Sequence, residues 1–204
     1  MKRFSLIGLC LTVVGLMMSG CSDFHVVKPD NLVIVQTEAN PLPLTVGIRV
    51  TDQRITGGFS DMGPALASRL TNANLFKSVL FPVRLDDKVD IVIEATFAGK
   101  FVADSTLFAK AIFTGLLLWL PAPFVEYEHH YKASATIRLT SPSAQQLKTY
   151  EASSDIPVAV KILAPPKEVE DQGIKAATSD LMDQLVGEMQ KDKTYLAGLK
   201  SETR

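Results

Sequence analysis

No cysteine follows residue 21. The chain has 204 residues and only two cysteines, Cys10 and Cys21. A body with no thiol beyond that point has no disulfide to close its loops and no thiolate to ligate a metal or attack a substrate. It must be held together by an apolar core. At 47% hydrophobic residues, the composition allows one.

The first twenty residues have their own logic. Lys2 and Arg3 precede an uncharged run from Phe4 to Gly20 that includes Leu6, Ile7, Leu9, Val13, Val14 and Leu16. A basic segment followed by an apolar one is the layout of a secretory signal. The run is short for a membrane span, which needs about 20 apolar residues. Ser19 and Gly20 then stand directly before Cys21, with Met18 where leucine is commonest. This stretch resembles the signal of bacterial lipoproteins. The resemblance implies cleavage before Cys21, a diacylglycerol on its thiol and a further acyl chain on the freed amine. Two or more chains anchor stably where one does not. Ser22, rather than Asp, follows the cysteine. By the same resemblance this implies the outer membrane, on its periplasmic face. An ordinary cleaved signal with a coincidental cysteine, or an uncleaved anchor, are the other readings.

The organisation expected is a signal over 1–20, a lipidated tether over 21–43, one domain over 44–191 and a flexible C-terminal tail over 192–204. Pro29, Pro41 and Pro43 suit an extended leader that holds the domain away from a bilayer, with Leu32–Val35 as a possible short strand. The signal holds two basic residues and no acid, so the chain's 21 basic and 22 acidic residues leave the body at 19 against 22, a balance of −3. No basic stripe stands out, and nucleic acid is not an expected partner.

Periodicity then sets the elements. Leu44, Val46, Ile48 and Val50 alternate with polar or small residues, which predicts a half-buried strand. Met62, Leu66 and Leu70 recur every four residues, which predicts a helix capped by Ser60 or Asp61. Strands are predicted over 75–81 and 89–97, and again over 125–139, where Val125, Tyr127, His129, Tyr131, Ala133, Ala135, Ile137 and Leu139 share a face. Ser141-Pro142-Ser143-Ala144 reads as a turn into a strand over 147–160 that is interrupted near Pro157. Pro165-Pro166 opens a helix reaching about Lys191, with Val169, Ile174, Ala177, Leu181, Leu185 and Met189 along one stripe.

This order predicts an α+β fold, a mainly antiparallel sheet with helices packed on one face. The strand Leu44–Val50, the helix ending before "NLFKSV" and the strand "VDIVIEATF" resemble the small α/β domains of envelope lipoproteins. Those are the curli-secretion lipoprotein, the activators of penicillin-binding proteins and the N-terminal domain of the Tol translocation protein. The resemblance implies an assembly or accessory role in the envelope and transfers no functional residue.

"AIFTGLLLWLPAPFV", Ala111 to Val125, carries no charge. It is too short to span a bilayer as a helix, and Pro121 and Pro123 break it. Either it is a buried core helix, which would need cover on every side, or it is a surface that meets lipid or protein. On the second reading Phe113, Leu116, Leu117, Leu118, Trp119, Leu120 and Phe124 make the contact.

Signals for chemistry are sparse. His129 and His130 are neighbours on a strand and point to opposite faces, so they cannot share a metal. Glu126, Glu128 and His130 share a face at roughly 7 Å spacing, and His129 is expected between Tyr127 and Tyr131. No metal site or cofactor is expected. "TGGFSDMG", Thr56 to Gly63, reads as a turn before a helix, with an anion at the helix start as the alternative. Asp86-Asp87 reads as a solvated turn. The expected function is therefore non-enzymatic: a lipoprotein that binds envelope proteins or copies of itself. A carrier that shields lipid with residues 111–125 and an envelope-acting hydrolase are the alternatives.

Overall fold

The computed structural model describes residues 24–27, 33–84, 86–117, 125–143, 145–161 and 164–202. Six strands form one sheet: β1 (Phe24–Val26), β2 (Leu42–Ile55), β3 (Phe76–Leu80), β4 (Ile91–Val102), β5 (Glu126–Thr140) and β6 (Gln146–Lys161). Four helices accompany them: α1 (Gly63–Asn72), α2 (Leu107–Leu116), α3 (Pro166–Lys191) and α4 (Lys193–Glu202). The strand order is β1-β6-β5-β4-β2-β3. The fold is α+β, as the alternation and the helix stripes predict.

The inner face carries the core. Leu44, Val46 and Ile48 of β2, Ile93, Ala95 and Phe97 of β4, and Tyr131, Ala133, Ala135, Ile137 and Leu139 of β5 are all buried. Leu66 and Leu70 of α1 and Ala177, Leu181, Leu185 and Met189 of α3 complete the same cluster. The α3 stripe read from the sequence faces the sheet. Its approach is close: a Cβ added at Gly173 would sit 2.3 Å from the Tyr131 ring. Only glycine lets helix and strand come that near.

Pairing is antiparallel between β1 and β6, β6 and β5, and β5 and β4, and parallel between β2 and both β3 and β4. The sheet expected to be mainly antiparallel is therefore partly parallel, since β3 and β4 do not pair with each other. Stagger makes the difference. β3 pairs with the first half of β2, up to Gly47 opposite Leu80, while β4 begins at Ile91 opposite Val46. The 81–90 loop therefore needs only to step across β2. It does so at Gly47, where an added Cβ would lie 2.4 Å from the Val83 side chain. Val83 N–H donates to Ile48 O at 3.1 Å, and Thr45 N–H donates to the Asp90 carboxylate at 2.7 Å, so both ends of the step are pinned.

Three expectations differ from the structure. β6 runs through Pro157 without a break. The Pro157 carbonyl faces β1, where it accepts from Val27 N–H at 2.9 Å. Because a residue's N and O point to the same side of a strand, the missing N–H also falls toward β1 and costs no β5–β6 bond. Second, the expected leader is already part of the domain. Phe24–Val26 pairs with β6, the Val33 side chain lies against Gly187 of α3, and Glu38 N–H donates to Ala73 O at 2.8 Å. Residues 33–35 form no strand, and Leu32 lies outside the described residues. Third, the expected flexible tail over 192–204 is largely helix α4. Leu196 and Leu199 enter the core, and Lys193 Nζ reaches Glu38 at 2.5 Å.

Replacing Leu196 by Ala is expected to cost about 2–4 kcal/mol, as for other buried leucines. Urea denaturation checks this, since a leucine in a free tail would cost nothing.

Candidate functional site

α2 lies in the connection from the end of β4 to the start of β5, and Asp104 fixes its beginning. The Asp104 carboxylate accepts from Thr106 N–H and Oγ1, both at 2.7 Å, from Lys110 Nζ at 2.9 Å and from Glu128 N–H at 3.2 Å. Its own N–H donates to His129 Nδ1 at 3.4 Å. The Lys110 ammonium, helped by the Thr106 hydroxyl and N–H, holds the Asp104 carboxyl well below the usual carboxylate range. Lys110 Nζ also donates to Glu126 O at 2.8 Å, joining the helix to the first residue of β5.

With those polar groups turned in, the helix is inside out. Thr114 is fully buried, its hydroxyl donating to Lys110 O at 2.8 Å, and Leu107 and Lys110 are half-buried on the same side. The outward stripes are apolar: Phe108 is 77% exposed, Leu116 76%, Phe113 56% and Ile112 47%, with Leu117 beyond the helix end also exposed. A surface helix of a water-soluble domain normally shows the reverse pattern. Phe101 and Val102, the last residues of β4, are exposed as well.

Of the expected contact residues, Phe113, Leu116 and Leu117 are therefore exposed together on one helix. Leu118, Trp119, Leu120, Phe124 and Cys21 lie outside the described residues. Over 111–117 the segment is not a core helix. Sequence reasoning missed Phe108 because the window was defined by absence of charge and so began after Lys110; Ile112 lies inside the window but was not among the expected contact residues. The four-residue spacing Phe108-Ile112-Leu116 carries the signal.

Beside α2 lies a slot of about 250 Å³ between the inner sheet face and the first turns of α3. Its walls include Phe101, Tyr127, His129, Tyr131, Val169 and Glu170. His129 packs on Tyr127 and on Phe101, at 4.9 and 5.0 Å between ring centres. The expected Tyr131 neighbour is displaced because Phe101, opposite Tyr131 in the ladder, occupies that place. On the other sheet face His130 bridges Asp155 at 2.8 Å and Glu128 at 3.0 Å, and Lys132 joins Asp155 at 2.6 Å. Burial works against the Asp155 charge, but the bonds from Lys132 and His130 outweigh it and lower its pKa. Among the described residues no group of three or more His, Cys, Asp or Glu is placed to hold a metal.

The remaining motifs are turns. Gly57 and Gly58 take φ of 65° and 80°, and the Asp61 carboxylate accepts from Gly63 N–H at 2.9 Å, so the chain supplies its own anion at the start of α1. Asp87 accepts from Arg84 N–H at 2.7 Å within its turn.

Burial lowers the His129 pKa, against the pull of Asp104, and the neutral ring suits its role as acceptor for Asp104 N–H. The folded ring takes its proton at lower pH than the unfolded one, so stability is lost as pH falls below about 6.5 and none of this dependence remains above it. In His129→Gln, which keeps an acceptor, the drop in Tm between pH 7 and pH 5 should be smaller than in wild type by about 1–3 °C. Thermal scans at the two pH values measure it.

No protein-family model and no curated protein matches the sequence. Solved structures do resemble it. A neuraminyllactose-binding hemagglutinin homolog from Helicobacter pylori aligns at 10% identity and a TM-score of 0.49, over 87% of this chain and 98% of that one. A minor lipoprotein from Acinetobacter baumannii aligns at 11% and 0.41, over 76% and 95%. The uncharacterized lipoprotein B from Nitrosomonas europaea aligns at 14% and 0.33, over 80% and 88%. At these values the likeness transfers neither function nor site residues.

Proposed function

We propose that the protein is a lipoprotein of the cell envelope, held through acyl chains on Cys21 at the periplasmic face of the outer membrane, and that it works by contact rather than by turnover. The observation that carries this reading is the inside-out helix. A domain with a complete core of its own keeps Phe108, Ile112, Phe113 and Leu116 in solvent on one element. Each such side chain forgoes about 1.5–3 kcal/mol that burial would supply. A patch of this kind marks a contact surface. The contact residues are these four together with Leu117, and the proposed surface continues into Leu118, Trp119, Leu120 and Phe124.

The anchor supports the same reading. No described helix is long and apolar enough to cross a membrane, and the "MSGC" stretch at residues 18–21 supplies an attachment that needs no span. Envelope proteins, or further copies of the chain, are the partners such an anchored contact protein would meet.

Two measurements in cells check the proposal. Wild type should fractionate with membranes, whereas Cys21→Ser should appear in the soluble periplasmic fraction, and mass spectrometry of the mature wild-type N-terminus should show an acylated cysteine. An unmodified thiol at residue 21 would sink the anchor. A photo-crosslinker at Phe113 should capture a partner or lipid, and one at Thr149, toward the other end of the sheet, should capture far less.

A further inference from the structure

We infer that the occupant of the α2 face is the bilayer itself: the helix lies on the membrane that carries the anchor. This rests on the lipoprotein reading above and adds what the exposed face touches.

The argument is one of placement. β4 ends at Val102 and β5 begins at Glu126, so α2 sits at that end of the sheet. β6 finishes at the same end, with Lys161 opposite Glu126. β1 starts there too: Phe24 pairs with Val160, which pairs with Tyr127. Neighbouring strands lie about 4.8 Å apart, so Phe24 and Tyr127 are separated by roughly 10 Å. Cys21 stands three residues before Phe24. Three residues of extended chain reach about 10 Å at most. An acylated Cys21 therefore draws this end of the sheet, and α2 with it, down to the headgroups. The domain has no long leader on which to stand off, because residues 33–43 are tied into its body.

The chemistry of the face agrees. The one charge on the helix is paired: Lys110 joins Asp104 beneath it, while Glu126 and Glu128 of β5 remain at the water side of that end. What remains outward is Phe108, Ile112, Phe113, Leu116 and Leu117, joined at the same end by Phe101 and Val102. A helix with its apolar face buried at the headgroup boundary needs this arrangement. A second copy fits worse. Copies anchored in one leaflet lie side by side, whereas this face is at the end that the anchor pulls toward the lipid. A soluble partner would have to enter the gap that the three-residue link closes.

The test uses the mature chain, residues 21–204, with Cys21→Ser to remove the anchor. Since no other cysteine remains in it, Ile112→Cys can carry a single polarity-sensitive dye. Vesicles of phosphatidylethanolamine with a minority of phosphatidylglycerol are the probe. The dye should move to an apolar environment on vesicle addition, with a partition constant on the order of 10³–10⁴ M⁻¹, near that of a single myristoyl chain. A control dye at Thr149→Cys should not respond. Phe113→Glu with Leu116→Glu should lower the partition at least tenfold while circular dichroism and Tm stay at wild-type values, because both positions are exposed. An unresponsive dye at 112, or undiminished partition in the double variant, would overturn the inference. The two proposals fail separately. If vesicles have no effect but the crosslinker at Phe113 captures one protein in cells, the contact role stands and the bilayer is the wrong occupant. If mass spectrometry finds an unmodified thiol at residue 21, the anchor itself fails, and the membrane orientation with it.

Discussion

Among the described residues, α1, α3 and α4 all pack on one face of the sheet, which takes up the helices available to cover it. α1 and α3 lie across the inner side, and α4 closes the end with Leu196 and Leu199. The closeness of Gly173 to the Tyr131 ring shows how little room is left between α3 and β5. A small sheet has one apolar face to offer. Once that face is filled, a fourth helix has no apolar surface to rest on. α2 is that helix, and its outward side chains follow from the arithmetic of layers as much as from its own sequence.

What holds α2 in place is therefore polar and local. Asp104 gathers two groups of Thr106, the Lys110 ammonium and the Glu128 N–H onto one carboxylate. Such a hub fixes where the helix starts and which side faces in, without burying its apolar area. Position and burial are normally supplied together by packing. Here they are separated: the fold supplies the position, and Phe108, Ile112 and Leu116 stay exposed.

Much of this was legible in the sequence. Alternation located β2, β4 and β5, since a sheet with one wet face writes its pattern into every second residue. The stripe from Val169 to Met189 gave α3 for the same reason. The parallel pairing was not legible: it depends on β3 and β4 sharing β2 end to end, and the only local trace is a glycine at 47. The C-terminal helix was hidden because Leu196 and Leu199 stand in a short stretch, YLAGL, with a glycine inside it. The leader's prolines were read as an extended spacer, although Pro41 and Pro43 stand where β2 begins. The exposed helix was half seen. Lys110 ended the apolar window because a charge reads as a solvated residue, while in the fold it is spent on Asp104 and Glu126. Its partner is six residues away, outside the spacing of three or four at which helical pairs are sought.

β1 joins the two halves of the account. It is three residues long and pairs with Val158–Val160, the C-terminal end of the edge strand β6. The same three residues follow almost directly on Cys21. On the proposed reading, this one short strand sets the attitude of the domain to the membrane. A tether that ended in loose chain would let the body turn freely, and an apolar helix could then face any direction. A tether that ends in a ladder of backbone hydrogen bonds, two strands from α2, leaves the helix few directions other than toward the lipid.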